Sequence, residues 1–368
     1  MSLAAPGASR YDAGTTGATR LNEGDGVKKR IGFLSFGHYQ AIPGSRTPTA
    51  RDALVQTIEL AVAAEAIGID GAAVRVHHFA PQLASPFPLL AAIAARTSRI
   101  EIGTGVIDMR YENPLAMAEQ AAAADLISDG RLQLGISRGS PEPALRGYES
   151  FGYLPDEGMT DGDMARVHAQ VFRAAIAGEP MAVSNPAMTG SSRGLAIEPQ
   201  SPGLGDRIWW GSGTRATATW TGEQGMNLMS STLLTEDTGV PFDQLQAEQI
   251  ALFHTAWEEA GHTREPRVSV SRSVLPITTD EDRRYFGGRA EDTRDQIGIL
   301  DGVRSRFGKS YIGEPHVLAD QLAADAAVQM ADTLYLTVPN QLGVDYNARL
   351  LKTIADHIAP AIGWVPNR

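Results

Sequence analysis

From Arg30 onward the chain repeats one unit: a short apolar run, a turn, a longer stretch of helical periodicity, and a glycine or proline stop. The apolar runs fall at 30–36, 70–76, 100–106, 131–137, 207–211, 226–230, 268–275 and 332–338. Their length and bounding residues predict strands. Between them lie helical stretches. The first opens on Thr49-Ala-Arg-Asp52, which has capping-box form, and ends at Gly68. Others run 86–97, from the Asn113-Pro114 start to Gly130, 159–177, 214–224, 240–260, 315–330 and 346–362. Strands that alternate with helices must pair in parallel, because each helix carries the chain back across the sheet. Eight such units over this length suit a closed (β/α)8 TIM barrel with insertions in the βα loops. An open doubly wound sheet is the alternative. It requires Gly-x-Gly-x-x-Gly after the first strand, where this chain has Phe36-Gly-His-Tyr-Gln-Ala41.

The units set the expected domain organisation. Residues 1–29, rich in Gly, Ala and Thr, read as a flexible tail and not as a signal peptide. Residues 30–364 read as one barrel domain. Three interruptions stand out: a long loop at 139–155, an exposed hairpin pairing 181–183 with 194–197, and residues 278–310. The last is dense in arginine (Arg283, Arg284, Arg289, Arg294, Arg304, Arg306) with weak periodicity, and reads as a lid or a solvated insertion. A net charge of −11 argues against a nucleic-acid partner. The absence of cysteine excludes disulfides, thiolate metal sites and a cysteine nucleophile. No apolar run is long enough to span a membrane. A cytoplasmic location is the expectation.

In a barrel, function sits at the carboxyl ends of the strands. The fourth strand, within Asp129-Gly-Arg-Leu-Gln-Leu-Gly-Ile-Ser-Arg-Gly-Ser140, ends in Ser137, Arg138 and Gly139. The fifth leads into Gly213-Thr-Arg-Ala-Thr217, the start of a helix. A helix N-terminus offers free N–H groups and a positive dipole end to an anion, and Thr214 and Thr217, three apart, share one face. Arg138 on the neighbouring strand adds a planar charged fork. Taken singly, each residue has a plainer reading: an N-cap for Thr214, a surface ion pair for Arg138. Together on adjacent strands they read as a phosphate site. After the second strand come His77-His78. Adjacent side chains on an extended chain point to opposite sides, which disfavours a shared metal and leaves His77 facing the barrel mouth as acid, base or hydrogen-bond donor. Gly103-Thr-Gly105 lacks bulk where a flat ring would lie, although a glycine in a strand equally marks a bulge.

These residues resemble those of the bacterial luciferase-like monooxygenases, flavin-dependent (β/α)8 barrels. The resemblance runs from about Arg30 to Trp364. It is carried by Val76-His-His-Phe79, Ile102-Gly-Thr-Gly-Val106, the Asp129–Gly139 string, Trp210-Gly-Ser-Gly-Thr-Arg-Ala-Thr-Ala-Thr-Trp220, and Gly313-Glu-Pro-His-Val-Leu-Ala319. It implies His77 at the flavin ring and a phosphate held by Arg138, Thr214 and Thr217; Ser137 and Gly213 beside them are taken as further cofactor-binding residues. It also implies a cis peptide at Gly105-Val106 supporting the ring. The function it implies is oxidation of a small organic substrate by reduced FMN and O2. A separate flavin reductase would supply the reduced flavin, since no nicotinamide fingerprint is visible, and a homodimer is common among such proteins. Two alternatives stay open: F420-dependent hydride transfer on the same barrel, and a non-enzymatic flavin-binding protein. One departure stands out. Val76 occupies the position of the glutamate that usually precedes the histidine pair, so the charge that would tune His77 is missing from this segment.

Overall fold

A computed structural model describes residues 28–139, 142–236, 238–289, 294–300 and 303–368, and side chains throughout these except at 297–300, 303 and 304. The expected tail at 1–29 falls almost wholly outside the described residues. Eight parallel strands close a barrel: β1 (Arg30–Ser35), β2 (Gly71–Val74), β3 (Glu101–Asp108), β4 (Leu132–Ser137), β5 (Ile208–Ser212), β6 (Asn227–Ser230), β7 (Val268–Arg272) and β8 (Thr333–Thr337). Each pairs with its sequence neighbours, and β1 closes on β8 through Arg30 opposite Thr333 and Leu34 opposite Thr337. The helices that return the chain are α1 (Ala50–Ile67), α2 (Pro86–Ala94), α3 (Pro114–Ser128), α4 (Asp161–Ile176), α5 (Arg215–Glu223), α6 (Phe242–Glu259), α7 (Pro315–Ala323), α8 (Ala326–Met330) and α9 (Val344–His357).

Local chemistry sets the ends of these elements. Thr49 caps α1 in a reciprocal capping box with Asp52, and Asn113 caps α3 by accepting from the N–H groups of Leu115 and Ala116. Asp129 and Gly130 both take left-handed conformations (φ 57° and 76°) and stop α3. Arg131 then spreads its guanidinium over carbonyls of Ala94, Thr97, Ile100 and Ser128 at 2.7–3.1 Å. It thereby binds carbonyls at the ends of α2 and α3 and in the turn that leads to β3. The Asp-Gly-Arg of the central string is thus a helix stop and a clamp.

Two apolar layers follow from strand alternation. Odd positions of β1 (Ile31, Phe33) face the helices, in one large buried shell. Leu34, Ala73, Trp209, Met229 and Tyr335 form a second cluster inside the barrel. Gly32 is required here, since a Cβ would lie 2.6 Å from the Tyr335 ring. Beneath this cluster the amino ends of the strands carry a polar floor. Arg267 donates to Glu101 at 2.9 and 3.0 Å and to Asp332 at 3.3 Å, and stacks over Trp209, whose Nε1 donates to Gln133.

Three differences from the sequence expectation stand out. The seventh strand leaves the barrel at Arg272, and Val274–Pro276 pairs instead with Tyr311–Gly313. The helix expected at 315–330 breaks at Asp325, whose carboxylate caps α8 and holds the buried guanidinium of Arg272. Within 278–310, where weak periodicity marks no element, the chain forms a capped helix at Asp280–Phe286. It also forms an antiparallel hairpin, Gln296–Leu300 with Val303–Phe307, that pairs onto Leu233–Leu234. The exposed hairpin is present as Ala182–Val183 with Gly194–Leu195. Among the described residues, no helix is long and apolar enough to cross a membrane.

Candidate functional site

A cleft of about 1020 Å³, including its solvent-open mouth, lies at the carboxyl ends of the strands. Its wall contains Arg75, Val76, His77, Gly105, Val106, Asp108, Ser137, Arg138, Gly139, Gly213 and Thr217. Of the eight residues that the sequence singles out, only Thr214 is not part of the wall.

On β4 the strand delivers its last residues to the cleft. Ser137 is buried, and its Oγ accepts the Gly139 N–H at 3.1 Å, which leaves the hydroxyl proton free to donate. Gly139 has φ 97°, and a Cβ there would meet the Arg110 guanidinium at 2.2 Å. Arg110 is fixed by Asp108 at 2.6–3.0 Å and by Asp161 at 2.8 Å, so the turn after β4 is moulded around this ion-paired group. Arg138 is exposed, and among the described residues its guanidinium makes no ion pair or hydrogen bond.

At the start of α5, Thr214 is the N-cap: its Oγ1 accepts the Thr217 N–H at 3.1 Å and donates to Thr217 Oγ1 at 2.9 Å. Thr217 therefore has an acceptor already filled and a proton to offer the cleft. Glu236 accepts the Arg215 N–H at 3.0 Å and also pairs with the Arg215 side chain. One donor of the helix N-terminus is taken by this carboxylate, which sequence spacing gave no means of seeing.

β3 carries a register shift between Thr104 and Ile107, and its Gly105-Val106 bond is cis, as the resemblance implies. The two glycines of this strand differ in role. A Cβ on Gly103 would lie 2.1 Å from the Gln133 carbonyl, so Gly103 serves the contact with β4, whereas Gly105 lines the cleft.

Both histidines after β2 are buried. His78 stacks on Tyr111 at 4.3 Å, in the wall. His77 faces the cleft, and burial, then Arg75, His78 and His38, push its pKa down to about 4. The carboxylate absent at Val76 arrives from the loop after β4: Glu142 Oε1 lies 3.6 Å from His77 Nδ1, with both side chains buried. The Tyr111 hydroxyl and the His78 N–H hold Glu142, and burial followed by Asp108 raises its pKa. Glu142 and Arg75 were both missed by sequence reasoning. Arg75 is readable as a cation two residues before the histidine. Glu142 has no sequence signal, because it comes from a loop of no periodicity.

The donor set fits a phosphate group and a flat ring. It holds a guanidinium that is unpaired among the described residues, hydroxyls of Ser137 and Thr217 with protons to give, and Gly105 and Gly211 where a ring can approach backbone. Among the described residues, no group of three or more His, Cys, Asp or Glu side chains is arranged to hold a metal.

The family description "Luciferase-like monooxygenase" matches residues 30–309. The oxygenase component of a flavin-dependent trigonelline monooxygenase from Acinetobacter baylyi is 32% identical over 110 residues, 29% of this chain and 30% of that protein. An F420-dependent glucose-6-phosphate dehydrogenase from Gordonia bronchialis is 37% identical over 91 residues, 23% of this chain and 27% of that protein. The matched segments thus span about a third or less of these curated relatives. Among solved structures, the oxygenating constituent of 3,6-diketocamphane monooxygenase from Pseudomonas putida, in complex with FMN, superposes with a TM-score of 0.66. It is 19% identical, with 92% of this chain and 100% of that chain covered, and bears on the fold alone. With three quarters of its length matched and the barrel in place, the chain belongs to the luciferase-like monooxygenase family; the two curated relatives named above are described as flavin-dependent and F420-dependent.

Proposed function

We propose that the cleft holds FMN and that the protein is the oxygenating component of a monooxygenase acting on a small organic substrate. The observation that carries this reading is the gathering of Ser137 at the end of β4, Arg138 just after it, unpaired among the described residues, and Thr217 at the start of α5 in the wall of the cleft that His77 and the Gly105-Val106 peptide also line. Arg138 and the two hydroxyls would hold the phosphate, with Gly213 leaving room for close approach and Thr214 fixing the orientation of Thr217. A longer acidic tail, as in F420, calls for further cations. Among the described residues, the cation beside Ser137 in the cleft wall is Arg138, which suits the shorter cofactor.

When bound, reduced FMN supplies the electrons with which dioxygen is activated. The chain's own share is positional and electrostatic. His77 is neutral at pH 7, so it donates from one ring nitrogen and accepts at the other. Glu142 Oε1, 3.6 Å from Nδ1, favours the proton on that nitrogen, which leaves Nε2 to accept. Glu142 acts through His77 and is a positioning residue. Leu34, Val106, Met229 and Leu233 supply the apolar lining that limits water. A separate flavin reductase is in keeping with the lack of a nicotinamide fingerprint and with the similar trigonelline monooxygenase protein being an oxygenase component and the 3,6-diketocamphane monooxygenase structure an oxygenating constituent. The reading also takes the protein to be a cytoplasmic homodimer.

The test is a pair of titrations, FMN and F420 separately, followed by quenching of tryptophan fluorescence. Saturable quenching by FMN and none by F420 is the expected outcome. The reverse would assign hydride transfer, and quenching by neither would end the flavin reading.

A further inference from the structure

Arg75 is left without a role by the phosphate site. It follows β2 directly, its backbone N–H donates to Ser35 at 2.9 Å, and its side chain lines the cleft. Its guanidinium stacks over Phe36 at 4.8 Å, and the His38 ring stacks on the same Phe36 at 5.6 Å. Among the described residues it has no ion pair and no hydrogen bond. Its closest electrostatic partner, Glu142, lies beyond ion-pair distance and is turned to His77. Burial lowers the pKa of Arg75, and Arg75 in turn lowers those of His38 and His77. In a chain of net charge −11, Arg75 brings a cation to a wall of the cleft that also holds His77, Glu142 and Asp108, the last paired with Arg110.

A half-buried guanidinium held flat on a ring, with its donors unspent, is a recognition element for a planar oxyanion. Its place differs from that of the phosphate site: Arg75 follows β2 and Arg138 follows β4, so their backbones stand two strand spacings apart across β3, or roughly 10 Å.

We infer that Arg75 anchors a carboxylate of the substrate, so that the substrates of this protein are small organic carboxylates bound beside His77. The inference rests on the flavin reading for the substrate's fate, but the anchoring contact stands on Arg75 alone.

The test is calorimetric titration with benzoate and hexanoate and with their neutral amides, on the protein with and without FMN. Wild type is expected to bind at least one carboxylate tenfold or more tightly than its amide. Arg75→Gln should lose that preference while FMN affinity stays within about twofold. Arg75→Lys, which keeps the charge, should retain part of the preference and guards against a variant that fails to fold. Carboxylate preference without FMN, lost in Arg75→Gln, sustains the anchor even where no flavin binds. Equal binding of acids and amides, no binding of either acid, or a large loss of FMN affinity in Arg75→Gln would each overturn it; the last would make Arg75 a cofactor ligand.

Discussion

The places of Arg138 and His77 in the cleft wall were legible because each follows a strand, at the end of the barrel where the βα loops gather. Arg138→Ala removes a charge-assisted contact of roughly 1.5–3 kcal/mol, so the FMN dissociation constant should rise about tenfold to a hundredfold. Unchanged affinity in a fluorescence titration would sink the phosphate assignment. Glu142 was not legible, since its approach to His77 depends on the path of an irregular loop. Glu142→Gln should lower kcat more than it raises KM, and the ¹⁵N shifts of His77 should show its proton redistributing between the two nitrogens. Unaltered shifts would leave Glu142 a mere packing residue. His77 also links the site to stability. Its pKa falls from 6.5 in the unfolded chain to about 4 in the fold. The unfolded chain therefore binds the extra proton between those values, and stability is lost as pH drops from about 6.5 toward 4. Glu112, raised to about 7 by burial and then by Asp108, works in the opposite direction. The measurement is thus a difference: urea midpoints of wild type and His77→Gln should converge as pH falls through this window. Parallel curves would contradict the shift.

Helix ends were readable where a side chain caps its own backbone, as at Thr49 and Asn113, because the capping partner lies within three residues. They were not readable where the partner is distant. The break at Asp325 answers to Arg272, and the course of the hairpin within 278–310 answers to its pairing with Leu233–Leu234. Arg131 is the clearest case of a motif residue whose work is structural. Its carbonyl contacts tie the ends of α2 and α3 to the start of β4. Arg131→Gln should cost roughly 2 kcal/mol in urea unfolding, by loss of charged hydrogen bonds to buried carbonyls. An FMN effect without a stability effect would place Arg131 in the site instead.

At the scale of the molecule, eightfold alternation made the barrel legible, since parallel strands and short crossovers leave few other closures. What alternation does not specify is the filling of the barrel. Gly32 facing Tyr335, and Arg267 drawing Glu101 and Asp332 together below Trp209, are choices made between strands far apart in sequence. Gly32→Ala would force a methyl group against the Tyr335 ring and should destabilise by about 1–3 kcal/mol, read as a fall in thermal midpoint. A variant as stable as wild type would mean that the ring moves freely aside.

The amino end of the barrel is closed by the last described residues. Trp364 pairs with Lys29, its Nε1 donates to Asp70 at 2.6 Å, and the Asn367 N–H reaches the Gly68 carbonyl at 2.9 Å. This seal sits at the opposite pole from the cleft. A biotin or affinity tag joined after Arg368 would consequently hold the protein to a sensor surface by its base, with the mouth of the cleft presented to the flowing solution.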